Sequence, residues 1–154
     1  NAEPDSAYIK EKLAGILELA ELQTQFTQHR SNLRILNEQI RYTGQYYANK
    51  EVYSQFSKAK YKGKYRKEHA KEIQKYEEAR DWLRSFYQDG KMTSLKTLTL
   101  QKEKLQQQIA SEEEAISSLK EKLKDLDTAD QNVDSILQMQ IPEPVRSKTN
   151  DLER

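Results

Sequence analysis

The chain has 154 residues and a mass of 18.1 kDa, with no cysteine, four glycines, three prolines, 33% charged residues and 35% hydrophobic ones. A typical globular domain is roughly 45–50% apolar counting glycine, so a thick multilayer core or a sheet-based α/β design would be starved of buried residues, and the lack of cysteine excludes disulfides and cysteine metal sites. Lysine plus arginine (26) nearly balances aspartate plus glutamate (25), which argues against a bulk nucleic-acid coat, an acidic tail or charge-driven disorder.

Asn1-Ala2-Glu3 opens the chain without methionine. An Asn-Ala start is a common remnant of tag removal, so residues 1–2 read as a scar on a fragment excised from a longer protein. No stretch approaches the roughly 20 apolar residues that span a bilayer, and the start lacks the basic-then-apolar plan of a signal peptide. The expectation is a cytoplasmic chain without membrane insertion.

The first predicted helix runs from about Asp5 to Tyr47 and lies in the segment 3–48. Leu19, Leu22, Phe26, His29, Leu33, Leu36 and Ile40 alternate in steps of three and four, a coiled-coil seam with one polar position. Upstream, Ile9, Leu13, Ile16 and Ala20 follow a looser helical spacing, with Asp5 or Ser6 placed to cap the first free amides. Val52 to Ala59 reads as a short helix broken around Lys62-Gly63. Lys64 to Tyr87 reads as one amphipathic helix, with Tyr65, His69, Ile73, Tyr76, Leu83 and Phe86 near one face and Trp82 beside it. Eleven of the thirteen aromatic residues fall between Tyr42 and Tyr87. Aromatic side chains bury the most area per residue, so the segment 49–91 is expected to form a small helical head.

The last predicted helix, from about Thr93 to Gln138 within the segment 92–138, carries the clearest repeat. Leu95, Leu98, Lys102, Leu105, Ile109, Glu112, Ile116, Leu119, Leu123, Leu126, Asp130, Val133 and Leu137 succeed one another at three-four spacing, ten of them aliphatic. Asp89-Gly90 supplies the preceding turn, Thr93 or Ser94 a cap, and Pro142 and Pro144 bar any further helix. Residues 139–154 read as a flexible tail or linker. The two long helices are similar in length, so the expected fold is all-α: a long antiparallel coiled-coil hairpin with a small aromatic-rich head. In that register paired residue numbers sum to about 140, which sets His29 near Glu112 and Lys10 or Lys12 near Asp130; polar seam positions at matching heights fix alignment. A homodimer of such hairpins stays open.

Enzyme machinery is hard to find. The two histidines, His29 and His69, fall on different helices, and no zinc-type histidine motif, phosphate-binding glycine loop or nucleophile elbow is present. Glu112, Glu113 and Glu114 point about 100° apart on a helix and do not converge on an ion; Asp125, Asp127 and Asp130 lack the glycine and distal glutamate of a calcium loop. The fragment is therefore read as non-enzymatic, with no catalytic, metal or cofactor residue. Lys58 to Lys71 differs, with seven basic residues against one acidic one and two interleaved tyrosines. Lys58, Lys60, Lys62, Lys64, Arg66, Lys67 and Lys71 are suited to neutralise phosphates, and Tyr61 and Tyr65 to stack on unpaired bases. The plainer alternative is a solvated or protein-facing surface above buried tyrosines.

The order of several motifs resembles the helical C-terminal region of relaxases, the mobilisation nucleases of conjugative and mobilisable elements in Gram-positive gut bacteria. The matching residues are Tyr53, Tyr61 through His69, Ile73, Tyr76, Glu77, Ala79, Gly90-Lys91, Ser94-Leu95-Lys96, Leu98, and Asn132-Val133-Asp134 through Ile136-Leu137. The resemblance spans about Tyr42 to Leu137. It implies a parent protein that nicks DNA with a tyrosine and a histidine-held metal, and no such site carries over to this chain. What it implies here is an accessory arm that contacts DNA, relaxosome partners or coupling proteins, or joins protomers. The rival expectation is a purely structural coiled-coil module with no nucleic-acid role.

Overall fold

A computed structural model describes residues 2–126, with side chains described from Ser6 onward. The described chain is all-helical and has five helices: α1 (Ala2–Ala48), α2 (Lys50–Lys58), α3 (Lys62–Glu68), α4 (Ala70–Phe86) and α5 (Leu95–Leu126). It divides into two compact units, one drawn from the chain up to Arg34 and from Lys104 onward, the other from Ile35–Glu103. Among the described residues no helix is both long and apolar enough to cross a membrane. The readings for Asn1, for Asp127, Asp130, Val133 and Leu137, for the Asn132 to Leu137 motif and for the tail 139–154 lie outside the described residues.

In the first unit, Ile16, Leu19 and Phe26 of α1 form one buried cluster with Ile109, Ile116 and Leu123 of α5. Leu22, Leu33, Leu105, Leu119 and Leu126 pack against its margins. Gly15 lies against Leu123, and His29 meets Glu112, so the two stretches run in opposite directions. His29 Nδ1 donates to the Glu112 carboxylate, 2.7 Å from Oε2 and 2.9 Å from Oε1. Gly15 is required by close approach, because a Cβ there would stand 2.6 Å from Leu123 Cδ2.

The start of α1 departs from the sequence expectation. The helix already includes Asp5 and Ser6, so neither caps it. Ile9 and Leu13 are half exposed, and the inward row runs instead through Lys12 (2% exposed), Ile16 and Leu19. The phase explains this: stepping back four from Ile16 reaches Lys12, and a long lysine stem can line an apolar surface while its ammonium finds a polar or aromatic partner. The Lys12 ammonium lies 4.6 Å from the centre of the Tyr8 ring.

In the second unit the expected single helix from Lys64 to Tyr87 is two, divided at His69, whose φ of −124° and ψ of 35° leave the helical region. The preceding break is also displaced, from Lys62-Gly63 to Ala59, which is extended with ψ at 140°. Lys62 and Gly63 lie inside α3. Ile73, Tyr76, Ala79 and Leu83 form the buried face of α4, while Phe86 is 41% exposed. Leu36 and Leu98 are buried in this unit, Ile40 is partly buried, and Leu95 is 40% exposed. The α4–α5 turn is built by Gly90 at φ +75°, with Asp89 Oδ1 accepting from the Lys91 amide. Ser94 Oγ then accepts from the Thr97 amide at 3.2 Å and caps α5.

Two glycines within α1 provide a test by opposite signs. A Cβ added at Gly44 would have nothing within 4 Å, in contrast to Gly15. Gly44→Ala should raise the unfolding free energy by about 0.5–1 kcal/mol from helix propensity alone. Gly15→Ala should lower it, because crowding a packed site typically costs about 1–3 kcal/mol and exceeds the same propensity gain. Urea unfolding of both variants reads the two signs.

Candidate nucleic-acid interface

The basic segment is carried by the end of α2, all of α3 and the start of α4, and rings beneath it hold these short helices together. Tyr46 stacks on Tyr76 with centroids 4.9 Å apart, and Tyr76 on Tyr53 at 4.1 Å. Tyr53 touches Phe56 at 5.7 Å, Phe56 faces Tyr65 at 6.3 Å, and Tyr65 lies 4.2 Å from the His69 ring. The series links α1, α2, α3 and α4. A second stack joins Tyr42, Trp82 and Phe86 at 4.7 and 4.9 Å. Offset ring pairs of this kind add about 0.5–1.5 kcal/mol each beyond burial. Polar ties complete the frame: Gln45 Nε2 donates to the Lys75 carbonyl at 2.8 Å, and Arg80 Nη1 donates to the Tyr53 hydroxyl at 3.0 Å.

Within this frame the nine residues singled out from sequence separate into two groups. Lys58, Lys60, Lys62, Lys64, Lys67 and Lys71 are all exposed, and none of them makes an ion pair among the described residues. Tyr61 stands with them, 68% exposed, with the Lys60 ammonium 5.6 Å from its ring centre. Tyr65 is partly buried, and Arg66, although exposed, is engaged with neighbouring side chains. Arg66 donates from Nη1 and Nη2 to the two Glu77 carboxylate oxygens at 3.2 and 3.0 Å, and its guanidinium lies 4.8 Å over the Phe56 ring. The Glu77 hydrogen bond holds the Arg66 pKa above its ordinary value.

The Arg66–Glu77 bridge depends on the break at His69. In one continuous helix, residues eleven apart would be separated by about 16.5 Å along the axis, too far for a two-pronged bridge. Folding α3 back on α4 closes that distance. The sequence reading named Glu77 only within a motif and did not pair it with Arg66; opposite charges flanking a suspected helix break were the available signal. Arg80 was likewise missed as the tie to Tyr53.

The coiled-coil positions are distributed between the units. Leu19, Leu22, Phe26, Leu33, Leu105, Ile109, Ile116, Leu119, Leu123 and Leu126 meet in the first unit's cluster, where His29 also joins Glu112. Leu36, Ile40 and Leu98 belong to the second unit. Among the described residues no group of three histidine, aspartate or glutamate side chains gathers closely enough to hold a metal ion. Comparison of the chain with protein-family models, curated proteins and solved structures finds no match.

The ring series makes a pH prediction. Burial, assisted by the neighbouring Tyr46 hydroxyl, pushes the Tyr76 hydroxyl up to about 12. An unfolded tyrosine titrates near 10, so the folded state keeps a proton that the unfolded state loses. The resulting stability is complete below about pH 10 and drains away between about pH 10 and 12. Across that interval the wild-type chain should lose on the order of 2 kcal/mol more than Tyr76→Phe, read by urea unfolding at several pH values.

Proposed function

We propose that this chain is a non-enzymatic helical interaction module that contacts DNA through the lysine face of α2, α3 and the start of α4. The observation that carries the reading is the exposure of six lysines free of ion pairs among the described residues, beside the exposed Tyr61. Charges already matched by local carboxylates release no counterions on binding phosphate, whereas unpaired lysines do. Arg66 is already bridged to Glu77, so this reading rests on the lysines. The relaxase resemblance over Tyr42 to Leu137 supplies the context, the helical C-terminal arm of a mobilisation protein in conjugative DNA transfer. In this reading α1 and α5 form an antiparallel coiled-coil hairpin, and relaxosome or coupling proteins are its protein partners.

A second reading, a purely structural protein-interaction or oligomerisation module, is favoured by a ridge on α1. Ile9, Leu13 and Leu17, at successive steps of four, are 49%, 52% and 70% exposed. An apolar row of this kind suits a protein partner or a second copy better than DNA. Sedimentation of the chain with and without a labelled oligonucleotide separates the two readings.

The variant that tests DNA contact changes Lys60, Lys64 and Lys67 to alanine and leaves Arg66 in place, so that the Glu77 bridge survives. Its binding to a single-stranded oligonucleotide should weaken, and the slope of log affinity against log salt should shrink by about 2, at about 0.7 per lost phosphate contact. An unchanged slope with unchanged affinity would remove the lysine face from the account.

A further inference from the structure

At the far end of α4 lies an open cleft of about 310 Å³, whose walls include Tyr46, Tyr76, Tyr87, Arg80 and Arg84. No aspartate or glutamate lines it. Ligand clefts run from roughly 300 to 1,000 Å³, so its size suits one ring with one charged group. The two arginines are four residues apart on α4 and therefore share a helix face.

The donors are only partly committed. Arg80 donates from Nε to Asp81 and from Nη1 to Tyr53, which fixes its guanidinium and leaves Nη2 without a hydrogen bond among the described residues. Arg84 is exposed and makes no hydrogen bond or ion pair among the described residues. Tyr87 is held from behind, its hydroxyl accepting from Gln39 Nε2 at 2.9 Å. Tyr46 and Tyr76 are held by their mutual stack. Rigid rings beside two guanidinium groups, one of them held at its Nε edge by Asp81 and the other unpaired among the described residues, form a site for an anion that carries a planar ring.

We propose that this cleft binds a nucleoside monophosphate, with the phosphate on Arg84 and the free edge of Arg80 and the base against the Tyr46 and Tyr87 rings. Arginine presents paired N–H groups that match phosphate oxygens, and bases stack on aromatic side chains irrespective of sequence. A free nucleotide and the terminal nucleotide of a DNA strand share this chemistry. The site is distinct from the lysine face and stands whether or not that face binds DNA. The plainer role for Arg84, offsetting the carbonyl charge in the last turn of α4, predicts no ligand.

The test is nitrogen-15 NMR titration of the whole chain with thymidine monophosphate, thymidine, inorganic phosphate, a phosphotyrosyl peptide and a thymidine oligonucleotide with a terminal phosphate. The expected result is saturable shifts at Tyr46, Arg84 and Tyr87 with the monophosphate, and affinity at least about tenfold weaker for thymidine or phosphate alone. Arg84→Gln should weaken the monophosphate by about tenfold or more and Arg84→Lys by less; an otherwise unchanged spectrum shows that the fold is intact. The Lys60, Lys64 and Lys67 triple alanine variant should bind the monophosphate as the wild type does, which keeps this outcome separate from failure of the lysine face. In the triple alanine variant, tighter binding of the phosphorylated oligonucleotide than of the monophosphate, read at Tyr46, Arg84 and Tyr87, supports the site and assigns the strand source; the reverse supports it and assigns the free nucleotide. The proposal is overturned by no saturable shift at roughly 10 mM monophosphate, by unchanged binding in Arg84→Gln, by phosphate binding as well as the monophosphate, or by the peptide binding more tightly.

Discussion

The contact between His29 and Glu112 joins residues 83 apart in sequence and sits between apolar residues of the first unit's cluster. Aliphatic residues at three-four spacing attract one another in any register, so they supply adhesion without alignment. A slip of one heptad would set His29 beside Leu105 or Leu119 and Glu112 beside Leu22 or Leu36. Either slip leaves two polar groups facing hydrocarbon, each at a cost of roughly 1–3 kcal/mol. Gly15 adds a steric condition to the electrostatic one, because a Cβ there would stand 2.6 Å from Leu123 Cδ2. The polar pair and the missing side chain together give one alignment to an interface whose apolar residues allow several.

The second unit solves a different problem. Its helices α2 and α3 are short, and neither has a fully buried residue. Isolated helices of that length are marginal in water. Ring stacking, the Arg66–Glu77 bridge and the Arg80–Tyr53 hydrogen bond supply the fixed framework that aliphatic burial does not. The same arrangement sorts the cations: those that hold the framework are arginines with planar two-pronged geometry, while the lysines remain on the outside with their charge unspent. The candidate DNA face is in this sense what is left over after the structural arginines have been used.

The all-helical class was legible because the apolar spacing is long, regular and almost free of glycine and proline. The turn at Asp89-Gly90 and the Ser94 cap were legible for a local reason, since each depends on one residue's backbone freedom or one side-chain oxygen. The break at His69 was not, because Glu68-His69-Ala70 contains no helix breaker and the Arg66–Glu77 bridge that accompanies it joins residues on either side of the break. Nor was the inward turn of Lys12, because Ile9 and Leu13 look more apolar and only the phase set by Ile16 and Leu19 excludes them. At the candidate site, composition showed a basic segment, but which cation was already paired depended on a contact across the chain. The cleft at the end of α4 left no trace in any motif, since its residues come from α1, α4 and the following turn.

A part-buried polar pair, and not the aliphatic rows alone, sets the alignment of the first unit. A double-mutant cycle with His29→Leu, Glu112→Leu and the combined variant, read by urea unfolding, tests it directly. Each single change should destabilise by about 1–3 kcal/mol, and the double variant should recover at least about 1 kcal/mol of the summed loss, because no polar partner is then left unpaired in the seam. Strictly additive losses in the double variant would contradict it.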